Sequence, residues 1–214
     1  MPGSRSGTLN VLESLETTII ALQPASLSRS LAIHGTLRSP VGSPMPDTVA
    51  IRRATLDDLP QILERWSELI AHHQSVHPDL FVLAPHARGT YGAFLRTQMA
   101  NRSSLVLVAS LGVPLGTHGV RLIDGFLSGA FGQRAPHFVE RDVGMIFDVA
   151  VRPEARGHGI GQQLVAEAER IFSKRGIKWL QADYAPSNDS AARFWQADGL
   201  KPLLVGGYRP VSKR

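Results

Sequence analysis

The residues whose types and spacing could do chemistry fall in one stretch, Asp148-Val-Ala-Val-Arg-Pro-Glu-Ala-Arg-Gly-His-Gly-Ile-Gly-Gln-Gln-Leu164. An apolar run reads as a buried strand, then come glycines, then an amphipathic helix. Glycines at Gly157, Gly159 and Gly161 let backbone approach a ligand closely. The free N–H groups of the first helical turn, with the positive end of the helix dipole, favour an anion. Phosphate or pyrophosphate is the chemistry this suits, with Arg156 adding a fixed positive charge. The spacing differs from the Gly-x-Gly-x-x-Gly of a dinucleotide fold, and no Gly-Lys-Ser/Thr follows, so Rossmann and P-loop readings are poor. A glycine-rich turn that merely packs a helix on a sheet is the competing reading.

Positioning such a site takes a regular scaffold, and the patterning supplies one from residue 49. Val49 to Ala54 is a short strand candidate. Thr55 and Asp58 resemble a capping box opening a helix with Leu59, Ile62, Leu63, Trp66, Leu69 and Ile70 on one face. A second helix is expected from about Gly89 to Ala100, and a buried strand from Leu105 to Ala109. Another strand is expected after Pro114, and the glycine-rich Gly125 to Gln133 reads as a loop. Gly144 to Val151 reads as a strand, with Asp148 its one charged residue, and Gly159 to Lys174 as a helix stopped at Gly176. Ile177 to Ala182 is a strand, Asp189 to Ala197 a helix, and two short strands flank Gly206-Gly207. Strands alternating with helices mean α/β.

The preceding residues differ. Residues 1–48 form a Ser/Pro-rich leader with one apolar run, Val11 to Leu22, spaced for a short helix. Met45-Pro-Asp-Thr-Val-Ala-Ile looks like a natural domain start, so a dispensable leader is favoured over a targeting signal. The domain is therefore 49–214.

The chain has 214 residues, 43% hydrophobic and 19% charged, enough to bury a core and argue against wholesale disorder. No run reaches the roughly 18 apolar residues of a spanning helix, so no membrane is expected and the expected location is cytoplasmic. There are no cysteines, which removes disulfides, Cys-rich zinc sites and a thiol nucleophile. The net charge of +5 suits an anionic small ligand and is too weak and scattered to argue for nucleic acid. His72, His73 and His77 fit no standard zinc spacing and read as loop or surface histidines, so no metal is expected.

Arg156-x-x-Gly159-x-Gly161, preceded by Val149-Ala-Val-Arg-Pro-Glu, resembles the acyl-CoA signature of the GNAT superfamily of N-acetyltransferases. Asn188-x-x-Ala191-x-x-Phe194-Trp195, then Gly199-Leu200, resembles that family's second conserved segment, and Ile51-Arg-Arg-Ala-Thr its opening. The resemblance spans about residues 49–210. It implies a single α/β domain, with a mixed, mostly antiparallel sheet splayed between two central strands and flanked by helices. Acetyl-CoA, as co-substrate, would lie in the split between the strand ending at Val151 and the one at Ile177 to Ala182. Backbone near Val149, Ala150 and Val151 would bind the pantetheine and polarise the thioester. The N–H groups of Arg156, Gly157, His158, Gly159, Ile160 and Gly161 would cradle the pyrophosphate. Asn188 would reach the pantetheine arm, with Ala191, Phe194 and Trp195 along the flank.

Direct transfer in a ternary complex needs a neutral amine, hence a base, and fixed donors for the oxyanion. Asp148 is the candidate base or amine anchor, because a strand carboxylate is costly to bury without a task or a partner; pairing with an arginine or a turn is the equal alternative. The family's usual acid for the thiolate is a tyrosine, and Trp195 stands there instead; indole N–H does not ionise usefully. Tyr184 is the candidate acid, with Tyr208 a second nearby tyrosine. Arg141, Arg152 and Arg156 could steer an anion or be plain surface charge. The expected activity is acetyl transfer to a primary amine of a small molecule or peptide. The alternative is a catalytically idle acyl-CoA-binding module, and a homodimer stays open as an assembly.

Overall fold

The computed structural model describes residues 48–112 and 122–209, so the expected leader helix and the strand after Pro114 lie outside the described residues. Five strands form one sheet in the order β1 (Val49–Arg53), β2 (Ser104–Leu111), β3 (Gly125–Gln133), β4 (Asp142–Val151) and β5 (Leu180–Ala182). The first four are antiparallel and β5 runs parallel to β4. Helices α1 (Leu59–Val76) and α2 (Ala87–Ala100) cover one face; α3 (Ile160–Ser173) and α4 (Asp189–Ala197) pack against the other.

Two-sided cover explains the unbroken apolar run of β2. Leu105, Leu107 and Ala109 enter the core beneath α3, while Val106 and Val108 join Leu59, Ile62 and Trp66 of α1 in the opposite core.

Helix α1 begins as the sequence suggests. A single 3₁₀ turn at Leu56–Asp58 precedes it, and the Asp58 carboxylate accepts from the Thr55 backbone N–H at 2.7 Å and from both terminal nitrogens of Arg52. Burial pushes the Asp58 carboxyl up, but these bonds outweigh it and hold the group below the usual carboxylate range.

The glycine-rich Gly125–Gln133, expected as a loop, is a central strand. Its glycines provide clearance rather than turns. A Cβ on Gly129 would stand 2.5 Å from the Met145 carbonyl oxygen, and one on Gly125 3.0 Å from Ile160 Cγ2. Between them Phe126, Leu127 and Ser128 are fully buried, which holds the segment in the sheet. Likewise a Cβ on Gly144 of β4 would strike the Phe172 ring at 2.5 Å.

Among the described residues neither strand expected around Gly206-Gly207 forms, and 210–214 lie outside them. Residues 201–209 carry no regular structure, because Leu203, Leu204 and Val205 find no face to bury against and stay exposed. β5 is shorter than expected, and α2 starts two residues earlier. Among the described residues no helix is long and apolar enough to cross a membrane.

Candidate active site

The site begins with a fault in the sheet. Ser128 pairs with Asp148, but the next pair is Gly129 with Ile146, so Phe147 is an extra residue in β4. The bulge turns both Phe147 and Asp148 toward α2, where Phe147 meets Phe94 at 6.3 Å, while Ile146 and Val149 enter the opposite core. Pairing with β5 covers only Gly144, Met145 and Ile146, and stops where the bulge starts. Among the described residues the β5-facing edge of β4 from Phe147 to Val151 therefore has no strand partner. This is the expected split.

β4 ends at a locked corner. Arg152 donates to Asp124 Oδ1 from Nε at 3.0 Å and Nη2 at 2.7 Å, and its backbone N–H donates to the Asp124 carbonyl. Asp124 is itself buried and accepts from the Leu111 N–H. Arg152 thus anchors the strand end instead of steering a ligand. Arg141 lies at the opposite end of β4, beside Gln133.

After a 3₁₀ turn at Pro153–Ala155 the chain enters α3 through two left-handed glycines, Gly157 (φ +84°) and Gly159 (φ +71°). A side chain there would be strained, although a Cβ at Gly157 would meet nothing within 4 Å. Gly159 caps α3 without any side-chain bond. The first amide with a helical acceptor is that of Gln163, so those of Ile160, Gly161 and Gln162 point forward unclaimed by the helix. Before them opens a cleft of about 650 Å³ between α3 and α4. Its lining includes Val151, Arg156, Gly157, Gly159, Ile160, Gly161 and, across from them, Ser190, Arg193, Phe194 and Ala197. The helices approach closely because Gly161 has no side chain: a Cβ would lie 2.9 Å from Phe194 Cε2.

Arg156 folds back so that Nε donates to the Val151 carbonyl at 3.1 Å. Burial lowers its pKa, with Glu68 and Glu154 pulling the other way; a guanidinium stays charged regardless. The cleft thus offers amide donors, a helix dipole and cationic side chains to an anion. That donor set fits the diphosphate of a nucleotide.

His158 is exposed, with Nδ1 against the Ala155 and Arg156 carbonyls. Asn188 is the N-cap of α4, its Oδ1 accepting from the Ala191 N–H at 3.1 Å. Ala191 and Trp195 lie in the core beneath α3, and among the described residues the buried indole N–H of Trp195 has no hydrogen-bond partner. Val149 shares that core, while Ala150 faces the opposite one. Tyr184 is half-buried just beyond β5, and Tyr208 is exposed.

Asp148 is 1% exposed. Its Oδ2 accepts from Tyr91 Oη at 2.6 Å and from Ser128 Oγ at 2.5 Å. Tyr91 on α2 stacks on Trp66 of α1, ring centroids 4.4 Å apart. Sequence reading missed Tyr91 and Ser128, since neither lies near Asp148 in the chain. Of the three histidines only His77 stands outside a helix, at the C-terminal end of α1. His72 and His73 are on α1, with His73 buried against Phe81, and His77 bonds Ser187 Oγ at 2.6 Å. Among the described residues no cluster of acids and histidines could hold a metal ion.

The profile of the acetyltransferase (GNAT) family matches residues 66–199, which holds both the bulged strand and the α3 cradle. The chain belongs to the GNAT family. Among solved structures it resembles a tetramutant of the BH1408 protein from Bacillus halodurans, at 19% identity and TM-score 0.65, over 76% of this chain and 99% of that one. It also resembles the aminoglycoside N-acetyltransferase AAC(6')-Iy in complex with CoA, at 17% identity and TM-score 0.53, over 80% and 97% of the two chains. AAC(6')-Ih from Acinetobacter baumannii matches at 16% identity and TM-score 0.56, over 78% and 100%. At such identities these likenesses establish the GNAT fold. No curated protein matches the chain in sequence.

Proposed function

We propose that the protein transfers an acetyl group from acetyl-CoA to a primary amine of a small molecule or peptide, directly, in a ternary complex. The observation that carries this reading is the meeting of the unpaired β4 edge with the amide cradle of α3 at Val151. A ligand with a diphosphate and a long amide-bearing arm suits that pair of surfaces. The aminoglycoside N-acetyltransferases among the structural neighbours support a small polar amine as acceptor.

In this reading bound acetyl-CoA supplies the activated acyl group, and the chain supplies the rest. The amides of Ile160, Gly161 and Gln162 hold the diphosphate, with the Arg156 charge nearby. The open edge from Phe147 to Val151 lines up the arm. Asp148 takes the proton released by the attacking amine. Because Asp148 is enclosed, that proton passes through Tyr91, whose O–H gives its own proton to Asp148 while accepting the amine's. Tyr184 donates to the leaving thiolate.

The test is release of free CoA thiol when the protein is given acetyl-CoA and a panel of amino acids, polyamines, aminoglycosides and peptide N-termini. Release that depends on one class of amine supports the reading. The second reading, an idle acyl-CoA-binding module, is favoured by the enclosed Trp195 where the family uses an acid. It takes over if acetyl-CoA binds and no amine elicits thiol.

A further inference from the structure

Among the described residues the charged lining of the cleft between α3 and α4 is cationic: Arg156 and Arg193, with no carboxylate. The two arginines differ in what they are free to do. Arg156 is tied to the Val151 carbonyl at the mouth of the amide cradle. Arg193 is exposed on α4, and among the described residues it enters no ion pair, whereas Arg52, Arg65, Arg152 and Arg170 are each bound to an acid.

Its placement is set by α4. Ser190, Arg193, Phe194 and Ala197 follow the i, i+3, i+4, i+7 spacing of one helix face, and that face is the cleft wall opposite α3. The α3 amides already offer a diphosphate its donors. A nucleotide seated on them still carries any phosphate on its ribose. A phosphomonoester bears close to two negative charges at neutral pH, and the planar guanidinium fork matches its oxygens.

We propose that Arg193 binds the ribose 3′-phosphate of the acyl-CoA and so makes the site prefer CoA over its dephospho form. The inference rests on the acyl-CoA reading above, and adds to it a residue that selects among nucleotides.

The test is calorimetric titration of the full chain with CoA and with dephospho-CoA, at low salt, for the wild type, Arg193→Gln and Arg193→Lys. Arg193 is outside both cores, so the melting temperatures should agree. The wild type should bind CoA about tenfold more tightly than dephospho-CoA, the scale of one charge-assisted bond. Arg193→Gln should bind both nucleotides alike, at the wild-type affinity for dephospho-CoA. Arg193→Lys should keep part of the preference. If Arg193→Gln weakens both nucleotides by the same factor, Arg193 serves the diphosphate and the proposal falls. If the wild type binds both equally, the proposal falls while the acyl-CoA reading stands. If it binds neither, both are overturned together.

Discussion

Tyr91 and Asp148, 57 positions apart, meet at 2.6 Å, with the tyrosine hydroxyl donating to a carboxylate enclosed between the sheet and α2. Burial of the hydroxyl, then the neighbouring Asp148 charge, hold the Tyr91 pKa well above its ordinary value, so Tyr91 remains a donor at working pH. Tyr91→Phe removes a donor from the buried carboxylate and breaks the proton relay, so it should cut turnover and cost about 1–2 kcal/mol of stability. Asp148→Asn should cut turnover by about 10²–10⁴-fold with acetyl-CoA affinity little changed. Unaltered turnover in both variants would make the pair a structural bond only.

The cradle can be probed at Gly159, provided backbone strain is separated from charge. Its φ of +71° penalises any side chain, so Gly159→Ala should lose about 1 kcal/mol of stability while keeping measurable acetyl-CoA binding. Gly159→Glu should abolish binding at a similar melting temperature, because its carboxylate faces the same amides as the diphosphate. Equal affinities of the two variants for acetyl-CoA, read by calorimetry, would remove the phosphate assignment.

Strand β3 tolerates no side chain at Gly129, where the obstacle is the Met145 carbonyl oxygen and not a movable group. Gly129→Ala should destabilise the fold by about 1–3 kcal/mol in thermal melts. Gly206→Ala, with nothing within 4 Å, should stay within about 0.5 kcal/mol of the parent. Similar melting temperatures for the two would contradict the tight β3–β4 register.

Asp198 follows α4, and its pKa is pushed up to about 6 by burial and then by the Glu169 charge. A carboxyl raised on folding binds its proton more tightly in the folded state, so its ionised form destabilises the fold. That cost is full above about pH 6 and disappears as the pH falls toward the ordinary value of 3.8. Asp198→Asn should melt higher than the parent at pH 7–8 and show no advantage at pH 4. An advantage that persists at pH 4 would assign the effect to something other than ionisation.

Trp195 fills the position of the family's usual acid with a group that has no proton to give in the useful range. It packs edge-on against Phe194 at 5.0 Å. Trp195→Phe should lower the melting temperature through lost packing yet leave turnover within a few-fold, and Trp195→Tyr should be tolerated or faster. A large loss of turnover in Trp195→Phe at unchanged stability would mean that the indole touches the reacting group.

Local pattern alone determined the parts of this protein that depend on neighbours in the chain. The start of α1 at Thr55 and Asp58, the glycine entry to α3 and the apolar faces of α1 and α3 are written in spacings of three and four residues, and they stand where those spacings put them. The proposed anion cradle could be written from the sequence for the same reason: it consists of backbone amides and three glycines inside the seven residues 156–162. Gly125–Gln133 misled because a glycine's role depends on what stands opposite it. In isolation glycines signal a turn, and only the Met145 carbonyl and the Ile160 side chain show them to be clearances in a buried strand. The bulge at Phe147 was equally invisible, being a mismatch between two strands rather than a property of either. Tertiary structure alone joined Tyr91 and Ser128 to Asp148, committed Arg152 to Asp124 and set Arg193 on the wall of the cleft. Charges and hydroxyls act over a few ångströms, and which of them come that close is decided by how the elements pack.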